Sequence, residues 1–170
     1  MHTGDGKGKT TAALGLALRA WGSGLRVLIL QFIKGSRAYG ELAAVEKLSE
    51  LDGRIRVEQC GLGFTQRGDG HEAEHKAAAK EALLHAKEAL TGGTWDMVIL
   101  DEINYAVKFG LIGEEELMEL LDLRPDCLHL ALTGRDALPS LVERADLVTE
   151  MKLIKHPYQK GIKAQQGIEF

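Results

Sequence analysis

A chain of 170 residues, 45% of them apolar, is long enough for a single domain, residues 1–170, with a buried core. No apolar run reaches the length of a membrane span, and the chain opens on a glycine-rich stretch instead of a leader, which predicts a cytoplasmic protein away from membranes. Lys plus Arg is 21 against 25 for Asp plus Glu, and a net charge of −4 argues against a nucleic-acid binder, whose footprint is basic.

The first stretch is Thr3-Gly4-Asp5-Gly6-Lys7-Gly8-Lys9-Thr10-Thr11, followed at once by an alanine-rich helical pattern over Ala12 to Trp21. Glycines let the backbone curl so that successive N–H groups point at one anion. Lys9 adds a mobile positive charge, the Thr10 hydroxyl can ligate Mg²⁺, and the helix N-terminus lends its dipole. The phosphate-loop template is Gly, four residues, then Gly-Lys-Ser/Thr. Here Thr3 stands where the first glycine belongs, and Gly4 comes one place later. The bland alternative is a glycine-rich turn before a helix. Such a loop normally leaves a strand of about five residues, yet only Met1 and His2 precede Thr3. A chain longer upstream is the favoured reading, and a stunted strand is the alternative.

The first helix runs from about Lys9 to Gly22. Arg26 to Ile33 is a nearly continuous apolar run, which reads as a parallel strand buried on both faces. A helix over Glu41 to Leu51 and a strand over Arg54 to Gln59 follow. Gly61 to Gly70 is a glycine-rich loop whose Phe64 reads equally as a core anchor or a ligand platform. Glu72 to Leu90 is a long helix, and its Lys80 to Glu88 stretch a solvated mixed-charge face. Trp95 to Glu102 is a buried strand ending in two acids. Short helices are expected over Ile103 to Phe109, Glu114 to Leu123 and Leu138 to Arg144. Strands are expected over Cys127 to Leu132 and Leu147 to Ile154.

Strands alternating with helices imply a mostly parallel sheet with helices on both faces, an α/β fold of the P-loop NTPase (RecA-like) kind. Ligands of such sheets sit at the carboxyl ends of the strands. Asp5 to Thr11, Gln31, Lys34, Asp101, Glu102, Thr133 and Arg135 gather there. An acid after the strand ending at Leu100 can hold Mg²⁺ together with Thr10, so the two elements together point to ATP-Mg²⁺ or GTP-Mg²⁺. Acids that merely cap a strand-end turn are the alternative.

Other features weigh less. His71-Glu72-Ala73-Glu74-His75 satisfies a zinc-hydrolase pattern, but it follows a glycine loop and heads a polar helix. Cys60 and Cys127 have no metal-type spacing and read as buried thiols of a reducing compartment.

The glycine loop with Ala12-Ala13 resembles that of the corrinoid adenosyltransferases of cobalamin synthesis, the ATP:cob(I)alamin type with a phosphate loop. The resemblance continues through Gln31-Phe32-Ile33-Lys34-Gly35, Gly63-Phe64-Thr65, Leu100 to Tyr105, Leu132-Thr133-Gly134-Arg135 and Ala145 to Met151. It ends with Lys155-His156-Pro157-Tyr158 and Gly161 to Phe170, and so covers essentially the whole chain. It implies that Co(I) of a reduced corrinoid attacks the 5′-carbon of ATP, releasing triphosphate. The nucleophile belongs to the corrinoid, so the protein needs none of its own.

Carried over by this resemblance, Gly4, Asp5, Gly6, Lys7, Gly8, Lys9, Thr10 and Thr11 bind the triphosphate. Lys9, Thr10 and Glu102 carry the catalytic roles. Thr10, Asp101 and Glu102 hold Mg²⁺, with Mn²⁺ as an alternative and Glu102 as the inner ligand. Arg19 and Arg135 are candidate nucleotide contacts. Phe64 would sit against the lower face of the corrin and exclude an axial ligand of cobalt. Some members have Trp two residues after that phenylalanine, where Gln66 stands here. A reduced flavin or flavodoxin-type electron donor and a homodimer are implied in the same way. The competing classes are a phosphate-loop ATPase or kinase and an ATP-reading binding module.

Overall fold

The computed structural model describes residues 1–35, 39–63 and 70–168. In chain order the elements are β1 (His2–Thr3), α1 (Lys9–Gly22), β2 (Val27–Gln31), α2 (Gly40–Asp52) and β3 (Ile55–Gln59). Then come α3 (Glu72–Thr91), β4 (Met97–Asp101), α4 (Ile103–Lys108), α5 (Glu114–Asp122), β5 (His129–Leu132), α6 (Pro139–Arg144) and β6 (Thr149–Glu150). A 3₁₀ turn, Pro157–Lys160, lies near the C-terminus.

β3, β2, β4 and β5 form one parallel sheet in that order, with Val27 opposite both Ile55 and Met97. β1 pairs with β6, also in parallel, and a bridge from His2 to Thr133 sets this pair beside β5. The strands therefore run β3-β2-β4-β5-β1-β6, with β4 and β5 central.

The continuous apolar runs of β2 and β4 follow from burial on both faces. Leu28, Leu30, Val98 and Leu100 point to one side and pack against Ala79, Ala82, Ala86 and Leu90 of α3 and Leu117 of α5. Val27, Ile29, Met97 and Ile99 point to the other and meet Ala13, Ala17 and Ala20 of α1 and Val45 of α2. The period of two along each strand thus serves two cores. Alanines three and four apart give α1 and α3 flat stripes that approach the sheet closely. No described helix is long and apolar enough to cross a membrane.

Two expectations need correction. The last strand, expected over Leu147 to Ile154, is only Thr149–Glu150. A strand extends only as far as its partner, and its partner β1 offers two residues. The cysteines are not buried thiols: Cys60 is partly buried and Cys127 exposed. β5 begins at His129, so Cys127 lies in the turn before the sheet. Burial beside Glu58 and Glu81 still pushes the Cys60 thiol up to about 11.

Gly15 lies within α1, is exposed, and an added Cβ there meets nothing within 4 Å. Gly15→Ala is expected to stabilise the fold by about 0.5–1 kcal/mol, because alanine loses less backbone entropy in a helix. A urea unfolding curve checks it; an unchanged or lowered midpoint contradicts it.

Candidate functional site

The loop between β1 and α1 is fixed from outside by the chain end. The Met151 N–H donates to the Thr3 carbonyl (2.8 Å), and the Gly6 N–H donates to the Met151 carbonyl (2.7 Å). Gly8, at φ 107°, turns the chain into α1. Lys9 opens that helix and is only 6% exposed. Its ammonium donates to the carbonyls of Gly4 (2.7 Å) and Gly6 (2.8 Å), so the loop wraps around its own lysine. Burial lowers the Lys9 pKa, opposed by the charges of Glu102, Asp5 and Asp101 and reinforced by Arg135.

β4 delivers the acids. Asp101 is 1% exposed and saturated with donors. Its Oδ1 accepts the hydroxyls of Thr10 (2.8 Å) and Thr133 (2.7 Å), and its Oδ2 accepts Gln31 Nε2 (3.2 Å). Lys34 Nζ lies 3.7 Å from the same Oδ2 and bonds Glu41 at 2.9 Å. The register that sets Gln31 opposite Asp101 brings these groups level at the carboxyl ends of adjacent strands.

Glu102 leaves the strand in a left-handed conformation (φ 61°, ψ 24°) and caps α4. Burial raises its pKa, and the neighbouring Asp101 charge raises it further; Lys9, Lys34 and Arg135 oppose this. One carboxylate thus has its lone pairs engaged by protein donors, while the other sits among three cations.

The structure brings Gly4, Gly6, Gly8, Lys9, Thr10, Asp101 and Glu102 together. Asp5, Lys7 and Thr11 lie on the same turn with exposed side chains. Arg135 is exposed but close enough for its charge to act on both Lys9 and Glu102. Arg19 is not brought in. It sits in the last turn of α1, ten residues past Lys9, which is about 15 Å along the axis at the helical rise. Phe64 and Gln66 lie outside the described residues. His71 stands at the N-cap of α3, where its ring bonds Glu74 at 3.1 Å.

Two contributors, Met151 and Thr133, lie in stretches that carry the family resemblance but receive no role from the sequence. Met151 acts through its main-chain carbonyl, which no side-chain pattern can reveal. The Thr133 hydroxyl touches both acids, though the sequence places it only at a strand end.

The donor set suits a hard divalent cation. Hydroxyl and carboxylate oxygens are the ligands such an ion takes. Because Thr10 donates its hydroxyl proton to Asp101, the oxygen's lone pairs stay available. Gln31 Oε1 is buried with no partner among the described residues, an acceptor suited to a water held by the ion.

The family model described as ATP:corrinoid adenosyltransferase BtuR/CobO/CobP matches residues 1–170. A corrinoid adenosyltransferase of a Sinorhizobium species is 43% identical over 171 residues, which is 100% of this chain and 78% of that protein. One of Pseudomonas aeruginosa is 38% identical over 170 residues, covering 100% and 82%. One of Escherichia coli K12 is 40% identical over 170 residues, covering 100% and 84%.

Proposed function

This chain belongs to the ATP:corrinoid adenosyltransferase family, and from that premise we propose which of its residues transfer the 5′-deoxyadenosyl group of ATP to the cobalt of a reduced corrinoid in adenosylcobalamin synthesis. The observation that supports this assignment is the pairing of a lysine-centred phosphate loop with Glu102 across the carboxyl ends of the strands.

In the reaction the Co(I) electron pair forms a bond to C5′. The C5′–O bond breaks, its electrons leave on triphosphate, and cobalt becomes formally Co(III). No general base is needed, because no proton moves at the reacting carbon. What the protein must stabilise is the charge growing on the departing phosphates. The loop amides at the start of α1 and the Lys9 ammonium lie where that charge collects. Lys9 is already stripped of bulk water by the Gly4 and Gly6 carbonyls. Exchanging those carbonyls for phosphate oxygens therefore requires little further dehydration.

Thr10 and Glu102 are the proposed cation ligands, with Asp101 orienting Thr10 from behind. When bound, Mg²⁺ (or Mn²⁺) adds positive charge on the phosphate oxygens. Arg135 is retained as a nucleotide contact, and Arg19 is left out on its position in α1. Asp5, Lys7 and Thr11 complete the loop. Phe64 is assigned to the lower face of the corrin through the family resemblance. That resemblance also carries the homodimer and the reduced flavin or flavodoxin-type donor.

Product analysis tests the reading. ATP, Mg²⁺ and a pre-reduced corrinoid should yield triphosphate and a light-sensitive adenosylated corrinoid in equal amounts. ADP and phosphate as the main products would instead mark an ATPase or kinase.

A further inference from the structure

Thr133 follows directly on β5 and has no exposure to solvent. Its hydroxyl donates to Asp101 Oδ1 at 2.7 Å and accepts the Glu102 N–H at 2.9 Å. It is thus one side chain that contacts both acids at the end of β4. Glu102 needs such a contact. A residue with a Cβ enters the left-handed region only against a steric penalty, so the surroundings must hold it there. They do so from β5. The Asn104 N–H bonds the Thr133 carbonyl (3.2 Å). Gly134 lies so close that an added Cβ would come within 2.8 Å of the Asn104 Cβ. The end of β5 is the template on which the turn after β4 is formed.

We propose that Thr133 is the positioning residue of the cation site, acting through Glu102 and Asp101. Its accepted bond holds Glu102 in the left-handed turn, where the carboxylate stays within the field of Lys9, Lys34 and Arg135. Its donated bond shares Asp101 Oδ1 with Thr10, so this carboxylate keeps its orientation and continues to draw the Thr10 proton away from the cation. Valine has the same shape but neither donates nor accepts. It leaves the Glu102 N–H without its partner and Asp101 with one donor fewer.

The inference rests on the assignment of Thr10 and Glu102 as cation ligands, and the experiment separates the two. Binding of Mn²⁺·ATP to the protein is titrated by electron paramagnetic resonance, without corrinoid, for the parent, Thr133→Val, Thr133→Ser and Glu102→Gln. Thr133→Val should bind about tenfold or more weakly, as loss of a group that orients metal ligands typically does, while Thr133→Ser stays within about threefold of the parent. The corrinoid KM of the valine variant should not move. Parent-like Mn²⁺·ATP affinity in Thr133→Val overturns the inference, as does an equal loss in Thr133→Ser, which would make the methyl group the cause. If Glu102→Gln binds like the parent, the cation assignment itself falls. If only Glu102→Gln weakens, the assignment stands and the role of Thr133 falls. Should the valine variant not fold, Thr133→Cys replaces it, because a thiol is a poor donor and acceptor, and the same two outcomes decide.

Discussion

Lys9→Ala should lower adenosyl transfer by about 10²–10³-fold, the loss typical when one charge-stabilising group is removed from a transition state. Its folding stability should stay close to the parent's. The second half of that expectation separates a catalytic lysine from a structural one. In the folded chain the ammonium is buried and makes two bonds to carbonyls. Charge-assisted bonds contribute about 1.5–3 kcal/mol each. Removing an ammonium from water costs several kcal/mol, so the two terms nearly cancel. The lowered pKa has burial as its first cause. A lysine whose folded pKa is depressed disfavours the fold while it is charged, below that pKa, and the penalty is relieved as pH rises through it. At neutral pH Lys9 is charged, so its deletion gives up little stability. Lys9→Met, which keeps much of the apolar stem, should behave the same way. Turnover with pre-reduced corrinoid, read beside thermal melts, measures both halves. Full activity in either folded variant removes the loop lysine from the mechanism; a collapsed melt with proportionate activity makes it structural.

The sequence carried the sheet well because the signal there is local. β2 and β4 are apolar throughout, which is the mark of strands covered on both faces, and their flanking polar residues place the strand ends. Lys9, Thr10, Asp101 and Glu102 were legible for a similar reason: each is fixed by its distance from an element boundary. The length of β6 was not legible, since it depends on how many residues β1 can offer it, a property of a distant segment. Cys127 misled because an apolar residue next to a strand looks like part of it. Arg19 shares α1 with Lys9 but lies about 15 Å further along it, so the helical rise sets that arginine apart from the loop itself. Thr133 stood among the strand-end residues without a role. Only the three-dimensional turn shows that its hydroxyl meets a backbone N–H from the neighbouring strand.

Gly6→Ala should be the other strongly damaging change, and for a reason unlike that of Lys9. An added Cβ at Gly6 would lie 2.7 Å from the Met151 carbonyl oxygen and 2.8 Å from that of Lys152. Both are backbone atoms, so no rotamer change relieves the collision. The loop must instead move away from the chain after β6, breaking the Gly6-to-Met151 bond. Overpacking of this kind costs about 1–3 kcal/mol of stability. The catalytic loss is larger, because the Gly6 carbonyl is also one of the two acceptors that hold Lys9. Displacing the loop displaces the charge, and an error of about 1 Å in a positioned group costs about 10²-fold in rate. Gly6→Ala should therefore lower both the melting temperature and triphosphate release. The variant Gly15→Ala, whose Cβ meets open space, should raise the first and spare the second. Lys9→Ala loses rate without stability, whereas Gly6→Ala loses both, so the pair distinguishes the charge from the frame that holds it. A Gly6→Ala enzyme with parental melting and turnover would show that the close approach of the loop to Met151 is not what sets the position of Lys9.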